Sequence, residues 1–154
     1  MLAMVLALAM QSSSLLSGDL TPPKGASVPG TAQVVLLPSE YAQMFNAEAQ
    51  RRIDIYWEEY KPQFAARKED FTQAFAAAYK EALDVVMARM SAEGKVNSSN
   101  FVRTASAGHF EFRVPPGEYR IIATGLVGGV TYIWTEPVQL KAGQLSVQMK
   151  QYVP

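Results

Sequence analysis

The spacing of apolar residues changes character twice along this chain. Val34-Val35-Leu36-Leu37 is a short apolar run stopped by Pro38, as expected of a buried strand. At Ser39 the period lengthens from two to 3.6. Phe45, Ala49, Ile53, Tyr56, Trp57, Tyr60 and Phe64 fall on one side of a helix, and Phe71, Phe75, Ala78, Tyr79, Ala82, Leu83, Val86 and Met90 form a second stripe. Ser39 is placed to cap the first helix, with Glu40 at the positive end of its dipole. Asp70-Phe71-Thr72-Gln73 reads as a capping box for the second helix, and Gly94 as its stop. One unbroken helix over 39–94 would be ~80 Å long, far more than a small sheet can cover. Pro62 interrupts the pattern. Two antiparallel helices with a turn between Lys61 and Asp70 are therefore expected.

Period two returns after Asn100. Phe101 to Thr104 reads as a strand, Ala107-Gly108 as a turn, and His109 to Arg113 as a strand with Phe110 and Phe112 on one face and His109, Glu111 and Arg113 on the other. Pro115-Pro116-Gly117 should end that strand and reverse the chain, with Gly117 free to take positive φ. Further strands run from Glu118 to Thr124 and from Val130 to Glu136, separated by Gly125-Leu126-Val127-Gly128-Gly129. Pro137 marks an end, Val138 to Leu140 is short, and Gln144 to Lys150 alternates cleanly with Leu145, Val147 and Met149 inward. Ile121-Ile122 and Ile133 beside Trp134 make two strands apolar on both faces. Such strands need cover on both sides, and the helical pair is expected to supply it on the outer one.

Met1 to Met10 is continuously apolar and gives way to Gln11-Ser12-Ser13-Ser14. About ten such residues are too few to span a bilayer, but they fit the core of a secretory signal, although no Lys or Arg precedes them. Ala7, Ala9, Ser12 and Ser14 are small enough to precede a cleavage site. Residues 1–17 are thus expected to be a signal-like segment and 18–154 a single domain with a helical insertion at 39–94, in an exported protein. Asp19 to Ala32, rich in Pro and Gly, reads as extended edge and turn.

Composition narrows the function classes. The chain of 154 residues is 49% hydrophobic and carries 14 basic and 14 acidic residues. With no basic cluster longer than a pair, it lacks the surface that tracks phosphates, and nucleic acid is not an expected partner. It has no cysteine, which removes disulfides, thiol catalysis and thiolate metal sites.

Gly108-x-Phe110-x-Phe112, Val114-Pro115-Pro116-Gly117-Glu118-Tyr119, and Val138-x-Leu140-x-Ala142-Gly143 before an alternating strand together resemble the carboxypeptidase regulatory-like domains, which are transthyretin-like β-sandwiches. Gly25 to Val34 is similar to that family's lead-in to an early strand. The resemblance covers the two ends of the chain and none of the middle. Where the family often has Asp before the turn glycine, this chain has Ala107. The resemblance implies a mostly β, antiparallel transthyretin-like sandwich, here with a helical hairpin inserted between early strands. It also implies a non-catalytic, exported module working through surface contacts.

No nucleophile–His–acid set is visible, and no catalytic, cofactor-binding or metal-ligating residues are assigned. His109, the only histidine, could lie beside Glu111 and Glu118, too few groups for a zinc site or an active site. The glycine-rich 125–129 stretch lacks the helix start that a phosphate loop needs and reads as a β-turn. Asn97-Ser98-Ser99 matches the short glycosylation pattern. Two aromatic groups remain. Tyr56, Trp57 and Tyr60 near Pro62 are the candidate interaction surface for a protein partner or self-association, because Trp and Tyr dominate interface hot spots. Tyr119, Tyr132 and Trp134 are the candidate platform for the alternative reading, a carbohydrate-binding module.

Overall fold

The computed structural model describes residues 13–95 and 101–150, and the backbone alone of the strand Tyr152–Val153. The signal-like residues up to 12 and the Asn97-Ser98-Ser99 pattern lie outside the described residues. The chain is mixed α/β and mostly β. Its elements are β1 (Ser14–Leu20), β2 (Thr31–Pro38), α1 (Ser39–Tyr60), a single 3-10 turn at Lys61–Gln63, α2 (Lys68–Ala92), β3 (Val102–Ser106), β4 (His109–Val114), β5 (Gly117–Val127), β6 (Val130–Leu140), β7 (Gln144–Met149) and β8 (Tyr152–Val153).

The strands form one sheet in the order β7-β1-β4-β3-β2-β5-β6-β8. It is mixed, because β1 and β7 run parallel from Leu15 opposite Gln144 to Leu20 opposite Met149, so the antiparallel-only expectation is corrected. The reason is the strand at Ser14–Leu20, which the sequence reading divided between a signal-like segment and a loop. β1 lies between β4 and β7, with Leu16 fully buried and Gly18 opposite Phe110. A Cβ at Gly18 would collide with the Phe110 ring, so the glycine is the slot into which that ring packs.

β3 and β4 are joined by the turn Ala107-Gly108, both at positive φ, and meet at the single pair Ser106–His109. The sheet curls at this corner. Leu16, Leu20, Phe110, Phe112, Val114 and Met149 from one end then share an inner core with Val34, Leu36, Ile121, Ala123, Trp134 and Leu140 from the other. The Pro115-Pro116-Gly117 segment therefore passes between two regions of the sheet. β4 ends at Val114, and β5 runs opposite to it in sense, because three antiparallel pairings (β4 with β3, β3 with β2, β2 with β5) separate them. The chain reverses as expected, but onto another part of the sheet and without positive φ at Gly117. Pro137 does not end its strand. β6 continues to Leu140 along a stretch paired only with β5, where a proline is tolerated.

The helices sit where the two-faced strands require them. Val35, Leu37, Ile122 and Ile133 turn to the outer face and pack against Tyr41, Phe45 and Ala49 of α1 and Ala82, Leu83, Val86 and Met90 of α2. Helix ends differ in detail from expectation. β2 runs straight into α1, so Pro38 occupies the cap position and Ser39 makes no cap bond. α2 starts at Lys68, and Asp70, inside its first turn, accepts a hydrogen bond from Arg67 Nε at 3.1 Å. At the other end Gly94 has φ of 73°, Gly94 N–H donates to the Ser91 carbonyl and Lys95 N–H to the Met90 carbonyl, closing the helix.

Candidate functional site

The helical hairpin is built in tiers. Its base is the apolar packing on the sheet, closed by a hydrogen bond from the buried Tyr41 hydroxyl to Glu93. That bond, with burial, pushes the Tyr41 pKa up to about 12, so the phenol stays neutral. Midway, charges tie the helices together. Arg52 lies 2.7 Å from Glu81 and 3.6 Å from Glu48, and Tyr56 donates to Glu81 at 3.0 Å. The Glu81 hydrogen bond and burial raise the Tyr56 pKa.

Between and beyond these lies a continuous aromatic spine. Phe45 contacts Tyr79 at 5.8 Å between ring centroids, Tyr79 contacts Phe75 at 5.2 Å, and Phe75 contacts Phe71 at 6.1 Å. Phe71 then meets Trp57 at 5.3 Å, Phe64 at 5.7 Å and Tyr60 at 6.1 Å. The edge-on and tilted geometries suit the positive edge and negative face of such rings. The Arg67 guanidinium covers the Tyr60 face at 4.4 Å, a cation–π contact at the turn. No residue of α1 beyond Ala49, and none of α2 before Ala78, is fully buried. At ~1.5 Å per residue, the outer part of α1 extends about 16 Å past its buried base. Trp57 remains 36% exposed and Ile55 55% exposed.

Of the three residues expected at an interaction surface, the structure gathers Trp57 and Tyr60 into the tip cluster. It diverts Tyr56 into the charged clamp on Glu81. Phe64, Phe71 and Phe75 complete the cluster; they were visible as stripe residues but not as members of a site. Ile55 was missed altogether. Its signal was available, since it is an isoleucine off the apolar stripe, next to Asp54.

The carbohydrate platform is corrected. Trp134 has no exposed surface, and its indole N–H donates to the Thr21 carbonyl at 2.9 Å. Tyr119 and Tyr132 are half-buried against the same inner core, and the Tyr119 hydroxyl donates to the Pro115 carbonyl at 2.7 Å. A sugar ring needs an open aromatic face, and this trio offers no exposed one built around Trp134.

His109 is exposed on β4. Its Nδ1 lies 3.0 Å from Asp19 and its Nε2 lies 3.6 Å from Glu111. Hydrogen bonding to Asp19, with Glu111 adding to it, raises its pKa. Glu118 is not a neighbour as expected; it lines a cleft of about 450 Å3 with Ser39, Gln43 and Asn46 at the start of α1. Among the described residues no group of three or more His, Cys, Asp or Glu is arranged to hold a metal ion. The glycine-rich stretch is a two-residue β-turn, with Gly128 at φ 58° and Gly129 at φ 79° between the paired Val127 and Val130. Among the described residues, no helix is long and apolar enough to cross a membrane. Compared with known proteins, the chain matches no family model, no curated protein and no solved structure.

Proposed function

We propose that this protein is a non-enzymatic interaction module, a transthyretin-like sandwich that is exported and holds out its helical hairpin to a protein partner. The observation that carries this reading is the contrast within the hairpin. Its base is buried on the sheet, while its outer part leaves Ile55 and Trp57 exposed beside a chain of packed aromatic rings. Rings already held in place lose little side-chain freedom on binding, and partly exposed Trp is the residue type most enriched at hot spots.

The deciding comparison uses the protein from its native source, the double variant Ile55→Ser/Trp57→Ala, and whatever co-purifies with each. The variant should keep the wild-type circular dichroism and native sedimentation of the free domain, yet lose the co-purifying partner. Retention of the partner by a folded variant overturns the reading. Removing all of 39–94 is the poorer test, because it would strip the cover from Val35, Leu37, Ile122 and Ile133. Export is supported by the apolar Met1 to Met10 followed by small polar residues. Since β1 begins at Ser14, cleavage after Ala9 leaves that strand whole whereas cleavage after Ser14 cuts into it. The mass of the mature chain tests this directly, with an intact Met1 as the opposing outcome.

A further inference from the structure

We propose that the cleft between the start of α1, the start of β5 and the end of β6 binds short peptides, holding both charged termini of a zwitterion. The cleft measures about 450 Å3, within the ~300–1,000 Å3 range of small-ligand sites. Two regular elements each turn a row of polar side chains into it. On α1, Ser39, Gln43 and Asn46 recur at i, i+4 and i+7, along a single helical stripe. On the sheet, Arg120 pairs with Leu37, whose side chain packs under the helices, so Arg120 and Glu118 stand on that same outer face. Gln139 is the cross-strand partner of Glu118. Tyr41, Phe45 and Ile121 are buried beside these rows, so both are carried on anchored backbone.

The polar groups of this cleft are left to a ligand. Among the described residues, Ser39, Gln43, Asn46, Glu118 and Gln139 make no side-chain hydrogen bond or ion pair. Arg120 Nη1 donates to Thr135 Oγ1 at 2.7 Å, which engages one arm of the guanidinium. Thr135 lies opposite Ile122, two residues further along β5, so Arg120 leans away from Glu118 and the opposite charges do not pair. Their Cα atoms alone are ~6.7 Å apart on an extended strand.

That spacing selects the ligand. A free amino acid carries both charges on one residue and cannot reach both heads, whereas an extended di- or tripeptide, at ~3.3 Å per residue, does. Its ammonium lies at Glu118 and its carboxylate on the open arm of Arg120, a geometry suited to paired N–H donors. Gln43, Asn46 and Gln139 match its peptide groups, because a side-chain amide offers the same donor and acceptor. Tyr119, the aromatic residue at this cleft, packs on the inner core with its hydroxyl on Pro115, so a sugar ring finds no open face to stack on.

The test titrates trialanine into the full chain and follows backbone amide NMR shifts. Two solvent-exposed charge contacts give an affinity of about 1 mM, so shifts at residues 39–46, 118–120 and Gln139 should saturate near ~10 mM. N-acetylated trialanine and trialanine amide, each lacking one charge, should bind about fivefold more weakly or worse. Glu118→Gln should abolish the preference for a free amino terminus and keep that for a free carboxylate, and Arg120→Gln should do the reverse. A change in fold would not produce this crossed pattern, and Glu118, exposed on the strand, should be replaceable with the thermal transition retained. The Ile55→Ser/Trp57→Ala variant should bind trialanine as the wild type does, which separates this cleft from the hairpin tip. Absence of saturable binding overturns the proposal. So do equal affinities for the free and blocked peptides, or tighter binding of maltose than of trialanine.

Discussion

The two tryptophans of this chain occupy opposite extremes. Trp134, on β6, has no exposed surface, its N–H is satisfied by a backbone carbonyl, and residues from both ends of the curled sheet surround it. Trp57, on the outer part of α1, is 36% exposed and touches Phe64 and Phe71 of the same hairpin. The first site is closed by the whole fold and has nothing left to bind. The second is ordered by local contacts that leave one side open. Burial completed by the rest of the chain makes a scaffold; burial left incomplete on a rigid element makes a surface.

The largest effect should come from emptying the scaffold. Trp134→Ala should cost ~3–5 kcal/mol in denaturant unfolding, the range for a large buried aromatic. A loss below ~1 kcal/mol would break the comparison at its stronger end. At the hairpin, Phe71→Ala removes the ring on which Trp57, Tyr60, Phe64 and Phe75 converge. We expect a smaller cost, about 1–2 kcal/mol, confined to the tip. Hydrogen exchange should speed up over residues 55–75 and stay unchanged in β5 and β6. Equal loosening of both regions would show that tip and sheet are one cooperative unit.

Ala107 sharpens the picture at the β3–β4 corner. It sits at φ 49°, a left-handed conformation that penalises a Cβ. Ala107→Gly should therefore raise stability, by roughly 0.5–1 kcal/mol offset by glycine's greater freedom when unfolded, measured by thermal unfolding. The smallest effect belongs to His109. Its folded pKa is raised by Asp19, so its contribution is fully present below the ordinary histidine value of ~6.5 and fades as pH rises through the folded value. The melting temperature should fall slightly over that window in the wild type. The slope should flatten in His109→Gln, and an unchanged slope would show that the titration of His109 is not its source.

Much of the architecture was legible from periodicity. The helical block between β2 and β3, both of its apolar stripes, the two-faced character of Ile121-Ile122 and Ile133-Trp134, and the inward set of Leu145, Val147 and Met149 all follow from where apolar residues repeat. β1 was not legible, because Ser14-Leu15-Leu16-Ser17 lies just past an apolar N-terminal run and its small polar residues, and so reads as the end of that signal-like segment. The strand end and reversal at Pro115-Pro116-Gly117 were legible, but not the partners of its two flanks, because local turn chemistry does not report which strand each flank will pair with. The candidate site was legible only in part. Trp57 and Tyr60 carry the composition of a surface, but so do Tyr132 and Trp134, and nothing local separates the two sets.

By itself, then, the sequence determined which residues are helical, which are extended, and which face of each is apolar, since these depend on neighbours a few positions away. Only the tertiary structure decided which apolar faces are closed. The curl of the sheet gathers Leu16, Phe112 and Trp134 into one core, the base of the hairpin covers Val35 and Ile133, and Ile55 is left more than half exposed. Burial is a property of contacts between residues far apart in the chain, and a periodic pattern specifies that a face seeks cover without specifying whether it finds it.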